Sequence, residues 1–332
     1  MTQADESRLS FWSNIVIFGA SLLWTVPGIN VLLSVPAVAG LILIISRLGY
    51  FRAVVTSMTS LLIVAMVGLM IEGYFMALMS AAVFTVLVIA PGLTMGIASR
   101  NFLSAGKTVW CGFIPILIVM AITLFFYSDI ARGVPDIVRQ FNSDLSSVID
   151  NSPGLSGIVD KQYGAGGDSR ERFIEEFDKI LLLFLRILPG TIIVTFLGIL
   201  VLSLAVAGSI ASRLGLMIPR FRPFYLWRAN EWWLLPTAIG LILIIFAGDD
   251  FWRYFGGNIL IVTGNIYAVA GFAVIEAYLK RLSAPVALKV ISYLTMFLLM
   301  AISSVMLAVI GLADSRFNFR RENLDREEKN ME

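Results

Sequence analysis

Long apolar segments are the feature that most constrains this chain. Nine of them lie at about Phe11 to Val26, Pro27 to Ile45, Phe51 to Ile71, Gly73 to Ala98, Thr108 to Tyr127, Ile180 to Ser212, Trp232 to Ala247, Asn258 to Leu279 and Val286 to Leu312. A bilayer core about 30 Å thick is crossed by about 20 helical residues. The pattern therefore predicts an all-α fold, a polytopic transmembrane helical bundle with about eight or nine apolar segments.

Composition supports a membrane protein. Of the 332 residues, 58% are hydrophobic and 14% are charged, whereas soluble domains have about 25% charged residues. We expect residues 1–332 to form a single membrane domain with a charged C-terminal tail at 313–332. The first residues lack a basic region and a small-residue cleavage site, so we do not expect a removable signal peptide.

The chain has no histidine and one cysteine, Cys111. This excludes an internal disulfide and the usual zinc sites and nucleophile pairs that depend on histidine. We therefore expect no enzyme activity, no cofactor and no metal. Because the net charge is only +2, we also expect no nucleic-acid partner.

Two proline-glycine pairs interrupt the apolar segments. Pro27-Gly28 divides the first two segments, and the sequence leaves open whether both cross the membrane. Pro189-Gly190 lies in the sixth segment, which is too long for one straight crossing. A kink is expected there, with the first turns projecting from the bilayer.

Residues 128–178 form the one long polar region between apolar segments. Apolar residues at helical spacing from Ile130 to Ile149 predict an amphipathic helix, "NSPGLSG" and "YGAGGDSR" are expected to break it, and "ERFIEEFDKILLLFL" runs into the sixth segment. We interpret this region as an extracytoplasmic helical insertion. It would lie on the membrane surface as a cap or cover a substrate pocket as a lid.

Basic residues occur in alternate loops, which predicts that those loops face the cytoplasm. The basic loops contain Arg47 and Arg52, Arg100 and Lys107, Arg213 to Arg228, and Lys280 to Lys289. The expected location is the bacterial cytoplasmic (inner) membrane. The same rule leaves the side of the C-terminus open, since nine crossings would put its basic residues outside.

Polar residues within apolar segments are candidate ligand-binding residues, because they are costly at membrane depth. Arg186 is placed to meet an anionic ligand or to extend toward the outer headgroups. Asn258 and Asn265 lie on one side of the eighth segment, close in sequence to Tyr267. They predict either hydrogen bonds between helices or a solvent-facing pocket.

The stretch "FRPFYLWRANEWWLLPTAIG", from Phe221 to Gly240, combines arginines, aromatic residues and two prolines. Its tryptophans are typical of the aromatic belt at headgroup level, and Arg228 and Glu231 are close enough to neutralise each other. We predict anchoring at the cytoplasmic surface or a partner contact. The candidate residues are Arg222, Trp227, Arg228, Glu231 and Trp232.

Small residues also form stripes in two segments. Ser203, Ala207 and Ala211 share one helix face, as do Ala273 and Ala277. Such stripes let membrane helices approach closely. They indicate packing within the bundle or a docking groove for another subunit.

Several motifs resemble those of the YybS-like bacterial polytopic membrane proteins, a domain of unknown function. The similar stretches are "LRILPG", "RFRPFYLWRANEWWLLPTAIGLIL", "GGNILIVTGNIYAVAGFAVIEAYLKR" and "IGLADSRFNFRRE". The residues that carry the resemblance are Arg186, Pro189, Phe221, Trp227, Trp232, Pro236, Asn258, Tyr267, Gly271, Gly311, Asp314, Phe319 and Arg320.

That family is distantly grouped with the substrate-binding subunits of energy-coupling-factor transporters. The resemblance implies an outward pocket for a small molecule and a cytoplasmic energising partner. Two functions stay open at this point. The chain is either a small-molecule-binding transport subunit or a membrane scaffold or assembly factor that acts through protein contacts. The bilayer is a partner in both cases.

Overall fold

The computed structural model describes residues 3–24, 29–71, 73–125, 140–149, 151–163, 167–317 and 319–320. Every regular element in these ranges is helical, as the sequence predicts. The α-helices are α1 (Gln3–Leu22), α2 (Ile29–Leu48), α3 (Tyr50–Ile71), α4 (Tyr74–Phe84), α5 (Ala90–Arg100), α6 (Ala105–Phe125), α7 (140–149), α8 (Pro153–Tyr163), α9 (Gly167–Arg213), α10 (Leu234–Phe246), α11 (Asp250–Arg281), α12 (Val286–Leu298) and α13 (Met300–Phe317).

Five helical segments of the described chain are long and apolar enough to cross a membrane, and a bent pair raises the number to six. The five are Ile29–Leu48, Tyr50–Ile71, Tyr74–Arg100, Arg172–Arg213 and Phe251–Arg281. The bent pair is α12 and α13, at an angle of 111°. Three shorter apolar helices cover the remaining predicted segments. Eight or nine crossings therefore stay a prediction.

The two predicted breaks differ in the structure. The first apolar stretch is divided, since α1 ends at Leu22 and α2 begins at Ile29, although Pro27 and Gly28 themselves lie outside the described residues. By contrast, Pro189 lies inside α9, which is one helix of 47 residues from Gly167 to Arg213. The continuation of the polar region into the sixth segment is confirmed.

Helix α2 is the centre of the larger core. Its residues from Ala37 to Ile45 are all buried, which is the pattern of a helix enclosed on every side. α2 packs against α1, α3, α5 and α9. The face toward α5 needs glycine, because a Cβ atom at Gly92 would lie 2.7 Å from Leu41 Cδ1.

A smaller core joins α10, α11 and α13 near the C-terminus. Ala229, Tyr267 and Ala270 are buried there, with Trp227 and Trp233 packed against them. α11 packs against α10 and α13, and it also contacts α9. Since α9 packs on α2 as well, α9 and α11 link the two cores.

The described part of the predicted insertion packs on the first turns of α9. The Phe141 and Phe177 rings stack with centroids 5.6 Å apart, and Asn142 Nδ2 donates to Asp178 Oδ2 at 3.1 Å. "NSPGLSG" does not end the helical structure here, since α8 begins at Pro153. Proline is accommodated in a first helical turn because the amide there has no partner within the helix. Residues 128–139 lie outside the described residues.

The small-residue stripes are buried within the bundle. Ser203, Ala207 and Ala211 have no exposed surface, and Ala273 and Ala277 are also buried. These five residues therefore serve helix packing, and the alternative of a docking groove on those faces is wrong.

Candidate functional site: the aromatic loop and its latch

The chain reverses direction after α9. Gly215 has φ +67°, a conformation that favours glycine. The Leu216 amide donates to the Ala211 carbonyl at 2.9 Å, which closes the helix end in the manner of a Schellman motif. Ile218 then lies buried in the larger core. Residues 219–233, which we term the aromatic loop, start from this fixed point.

Two short 3₁₀ turns shape the aromatic loop. They cover Phe224–Leu226 and Glu231–Trp233. Asn230 Oδ1 accepts from the Trp232 amide at 3.2 Å and so caps the second turn. α10 follows directly at Leu234, and Pro236 lies in its first turn, where proline is tolerated.

Arg320 fastens the aromatic loop to the end of α13. Its Nη1 donates to the Tyr225 carbonyl at 2.6 Å, and its Nη2 donates to the Trp227 carbonyl at 3.0 Å. Nη2 also pairs with Asp314 Oδ2 at 2.6 Å. We call the Asp314–Arg320 pair and these two carbonyl contacts the latch.

The latch is buried, which makes it costly to form. The Asp314 side chain has no exposed surface and that of Arg320 is 4% exposed. Taking two charges out of water costs several kcal/mol per ion, and their attraction compensates only when the geometry is good. Asp314 Oδ1 and Arg320 Nε have no partner among the described residues. The pair is therefore better explained by fixing the loop in one position than by adding stability.

Arg228 makes a second link between the aromatic loop and α13. One of its terminal nitrogens donates to the Ser315 carbonyl. The same nitrogen lies 3.6 Å from Glu231 Oε1, so the predicted proximity of these two charges is confirmed. On the other side of the loop, Lys280 Nζ lies 3.5 Å from the centroid of the Tyr225 ring, within the range of a cation–π contact.

The helices beneath the loop meet at two glycines. A Cβ atom at Gly271 would overlap the Leu307 carbonyl oxygen, and one at Gly311 would overlap the Tyr267 carbonyl oxygen. The contact is reciprocal, because each helix gives one glycine and receives one backbone carbonyl. This close approach carries Asp314, one turn after Gly311, to the loop.

Tyr267 belongs to this contact and not to a site with Asn258. Its side chain is 2% exposed and lies in the smaller core. Nine helical residues separate it from Asn258, which corresponds to about 13 Å along α11. Its predicted role in ligand binding stays a prediction.

A groove opens beside the latched loop. Its volume is about 960 Å³, and its lining residues are Arg228, Ala229, Asn230, Glu231, Trp232, Leu234, Leu235 and Ala238. The side chains of Trp232 and Leu235 are 79% and 61% exposed. Of the predicted partner residues, Arg228, Glu231 and Trp232 line this groove. Trp227 lies packed against the smaller core, and Arg222 is exposed in the loop outside the groove.

Asn258 joins α11 to α9 at a second place. Its Oδ1 accepts from the Gly190 amide at 2.6 Å, and its Nδ2 donates to the Arg186 carbonyl at 2.8 Å. In an uninterrupted helix these two backbone groups, four residues apart, would bond to each other. The Asn258 amide therefore bridges the α9 backbone beside Pro189. A Cβ at Gly190 would lie 2.8 Å from Asn258 Oδ1.

Arg186 lies next to this bridge and is exposed. Its guanidinium donates to the Tyr254 hydroxyl, and Cζ lies 4.1 Å from the centroid of that ring. Asn265 does not join this group, since its Nδ2 donates to the Ile261 carbonyl of its own helix at 2.8 Å. Hydrogen bonding between helices is thus confirmed for Asn258, while Asn265 bonds locally.

The latch has a weak sequence signal. Asp314 and Arg320 stand out only as opposite charges near the end of an apolar segment, and the loop carbonyls they hold carry no signal at all. The residues of the resemblance nevertheless fall mainly into the two groups described. Arg186, Pro189 and Asn258 form the α9–α11 bridge, while Trp227, Tyr267, Gly271, Gly311, Asp314 and Arg320 lie around the latch.

The described residues include no group of three or more acidic or cysteine side chains that could hold a metal ion. Among known proteins, one family model matches residues 14–315, with the description "Predicted membrane protein (DUF2232)". No curated protein and no solved structure matches the chain.

Proposed function

We propose, since the chain belongs to the DUF2232 family of predicted membrane proteins, that it is a membrane assembly component that binds a partner protein through the groove beside the aromatic loop. The observation that carries this proposal is the latch. It uses a buried ion pair to hold the loop that forms the rim of the groove.

The chemistry of the groove favours a protein segment as the occupant. Leu234, Leu235 and Ala238 form an apolar floor, while Arg228 and Glu231 lie at the rim. The Glu231 side chain is 61% exposed and that of Arg228 only 30%. We therefore infer an apolar helix of a membrane protein that carries a lysine or arginine for Glu231. Exposed tryptophan is typical of such contacts.

The alternative is a small-molecule-binding transport subunit, as the YybS-like resemblance and its distant link to energy-coupling-factor subunits imply. Exposed Arg186 beside Tyr254 favours it, because the cation lies within a membrane-spanning segment. Asn258 argues against it, since both amide hydrogens already have backbone acceptors. The assembly role therefore has the better support.

Location and orientation are also part of the proposal. The distribution of lysine and arginine supports the bacterial cytoplasmic membrane, with the aromatic loop and its groove on the cytoplasmic side. A partner segment would then approach from the cytoplasmic leaflet. Under the transport alternative, a ligand would enter from the opposite face.

A groove-filling variant tests the assembly role. Ala238→Trp places a large side chain in the groove without changing charge, and Ile242→Trp adds the same side chain one turn further along α10. Both variants and the wild type are purified in mild detergent, and proteins that co-purify are quantified by mass spectrometry. A stoichiometric partner should be kept by the wild type and Ile242→Trp and reduced at least ten-fold in Ala238→Trp.

Two results would contradict this role. One is a partner that Ala238→Trp keeps in full. The other is a metabolite that raises the thermal unfolding temperature of the wild type but not of Arg186→Gln, in the absence of any stoichiometric protein. That second result would favour the transport subunit.

A further inference from the structure

Two adjoining grooves flank the last turns of α9, away from the groove beside the aromatic loop. The first has a volume of about 290 Å³ and ends at Arg213. The second has a volume of about 260 Å³ and ends at Arg220. Both are lined by Ala205 and Ser209, so the two grooves meet along a ridge of small side chains.

The walls of these grooves are mainly apolar. Leu202, Val206 and Ile210 line the first groove, while Leu204 and Phe221 line the second. The hydroxyl of Ser209 is already bound to the Ala205 carbonyl of its own helix at 2.8 Å. The walls therefore suit hydrocarbon better than a polar ligand.

The two arginines leave strong positive charge at the end of the grooves. Both are exposed, and the lining of the two grooves includes no acidic residue. The contacts found among the described residues give neither guanidinium an ion-pair or hydrogen-bond partner. Arg228 and Arg320, by contrast, are both paired with carboxylates. The charge of Arg213 and Arg220 is therefore available to an external anion.

The fold itself brings the second arginine back to α9. The reversal at Gly215 returns the chain along the helix, and Arg220 Cγ lies 3.7 Å from the position of a Cβ at Gly208. Because Gly208 has no side chain, the Arg220 stem can cross the helix there. Without this return, α9 would end with Arg213 alone.

We propose that these grooves bind one anionic phospholipid, with its phosphate at Arg213 and Arg220 and its two acyl chains along the two grooves. Arginine is well suited to phosphate because its planar guanidinium donates two parallel hydrogen bonds. Basic residues next to a membrane surface also attract anionic lipids specifically. This site shares no lining residue with the groove of the proposed function, so either can fail without the other.

Lipid retention tests the proposal. The full chain is prepared with phosphatidylglycerol or with phosphatidylcholine, and retained lipid is counted by native mass spectrometry. Each basic residue near an anionic surface contributes roughly five-fold in affinity, so R213Q/R220Q should lower phosphatidylglycerol retention by about thirty-fold. Phosphatidylcholine retention should not change. The matched control R222Q/R281Q removes the same charge from exposed positions outside both grooves.

A second variant tests the acyl chains separately. Ala205→Trp fills the ridge between the grooves and leaves the charge unchanged, so it should also lower phosphatidylglycerol retention. Equal retention of the two lipids by the wild type would overturn the proposal, as would an equal loss in R222Q/R281Q. If inorganic phosphate stabilised the protein as much as phosphatidylglycerol, the site would bind a free anion and the lipid proposal would be wrong. Full retention by Ala205→Trp would likewise overturn it.

Discussion

The two regions where α11 is joined to the rest of the protein differ in the kind of polar group they bury. Toward its N-terminal end, α11 is joined to α9 by the neutral amide of Asn258. Further along, α11 packs on α13, which carries the charged latch of Asp314 and Arg320. Asn258 connects two backbone groups of one helix, whereas Arg320 connects α13 to a loop about ninety residues earlier in the chain.

This difference should decide what happens when each group is removed. Without Asn258, the Gly190 amide and the Arg186 carbonyl remain four residues apart in α9 and can bond to each other. Without Arg320, Asp314 stays buried with no counter-charge, and two loop carbonyls lose their donor. The bridge is therefore repairable from within its own helix, and the latch is not.

The largest effect is expected from breaking the latch. Arg320→Met should lower the free energy of unfolding by about 3–5 kcal/mol, because it leaves an uncompensated buried carboxylate. Thermal or denaturant unfolding in detergent measures this change. Arg316→Met, at an exposed position of the same helix, is the control. The double variant D314L/R320M should recover much of the loss, and a loss in the double variant as large as in Arg320→Met would contradict the comparison.

A smaller effect is expected from the glycine contact that positions the latch. Gly311→Ala should cost about 1–3 kcal/mol, since the added methyl group forces α11 and α13 apart. Proteolysis of the aromatic loop should become faster because the latch moves with α13. Gly264→Ala, where a Cβ meets no atom within 4 Å, should leave both unfolding and proteolysis unchanged. Unchanged proteolysis in Gly311→Ala would separate the glycine contact from the latch.

The smallest effect is expected at the neutral bridge. Asn258→Leu should cost about 1–2 kcal/mol, because hydrogen bonds between membrane helices contribute little each and the α9 groups can bond to each other. Asn265→Leu is a matched control with an exposed asparagine on the same helix, and it should change the free energy of unfolding by less than about 0.5 kcal/mol. A cost at Asn258 equal to that at Arg320 would remove the distinction between the two regions.

The sequence predicts the helices better than the contacts between them. Apolar length and spacing lead to the all-helical fold and to the continuation of the polar region into α9. The Arg228–Glu231 contact is also predictable, because three residues separate the two charges. Prolines are harder to interpret, since the same residue type begins α8 at Pro153 and lies inside α9 at Pro189.

The latch and the bridge are not predictable in the same way. Asn258 has several apolar helices as possible neighbours, and nothing in its own segment selects Gly190. Asp249 illustrates the local case, because it caps α11 by accepting from the Phe251 amide at 3.0 Å, although the sequence indicates only a solvated loop. Contacts with backbone groups have no residue signature, so they need the fold.

The position of Arg320 in the chain also has a consequence during synthesis. Its acceptor Tyr225 is made 95 residues earlier, and at roughly 5–20 residues per second that interval lasts about 5–20 s. Throughout this time the aromatic loop exists without the residue that closes it. Closure of the latch therefore marks a late stage of translation, after α11 and α13 have both been made.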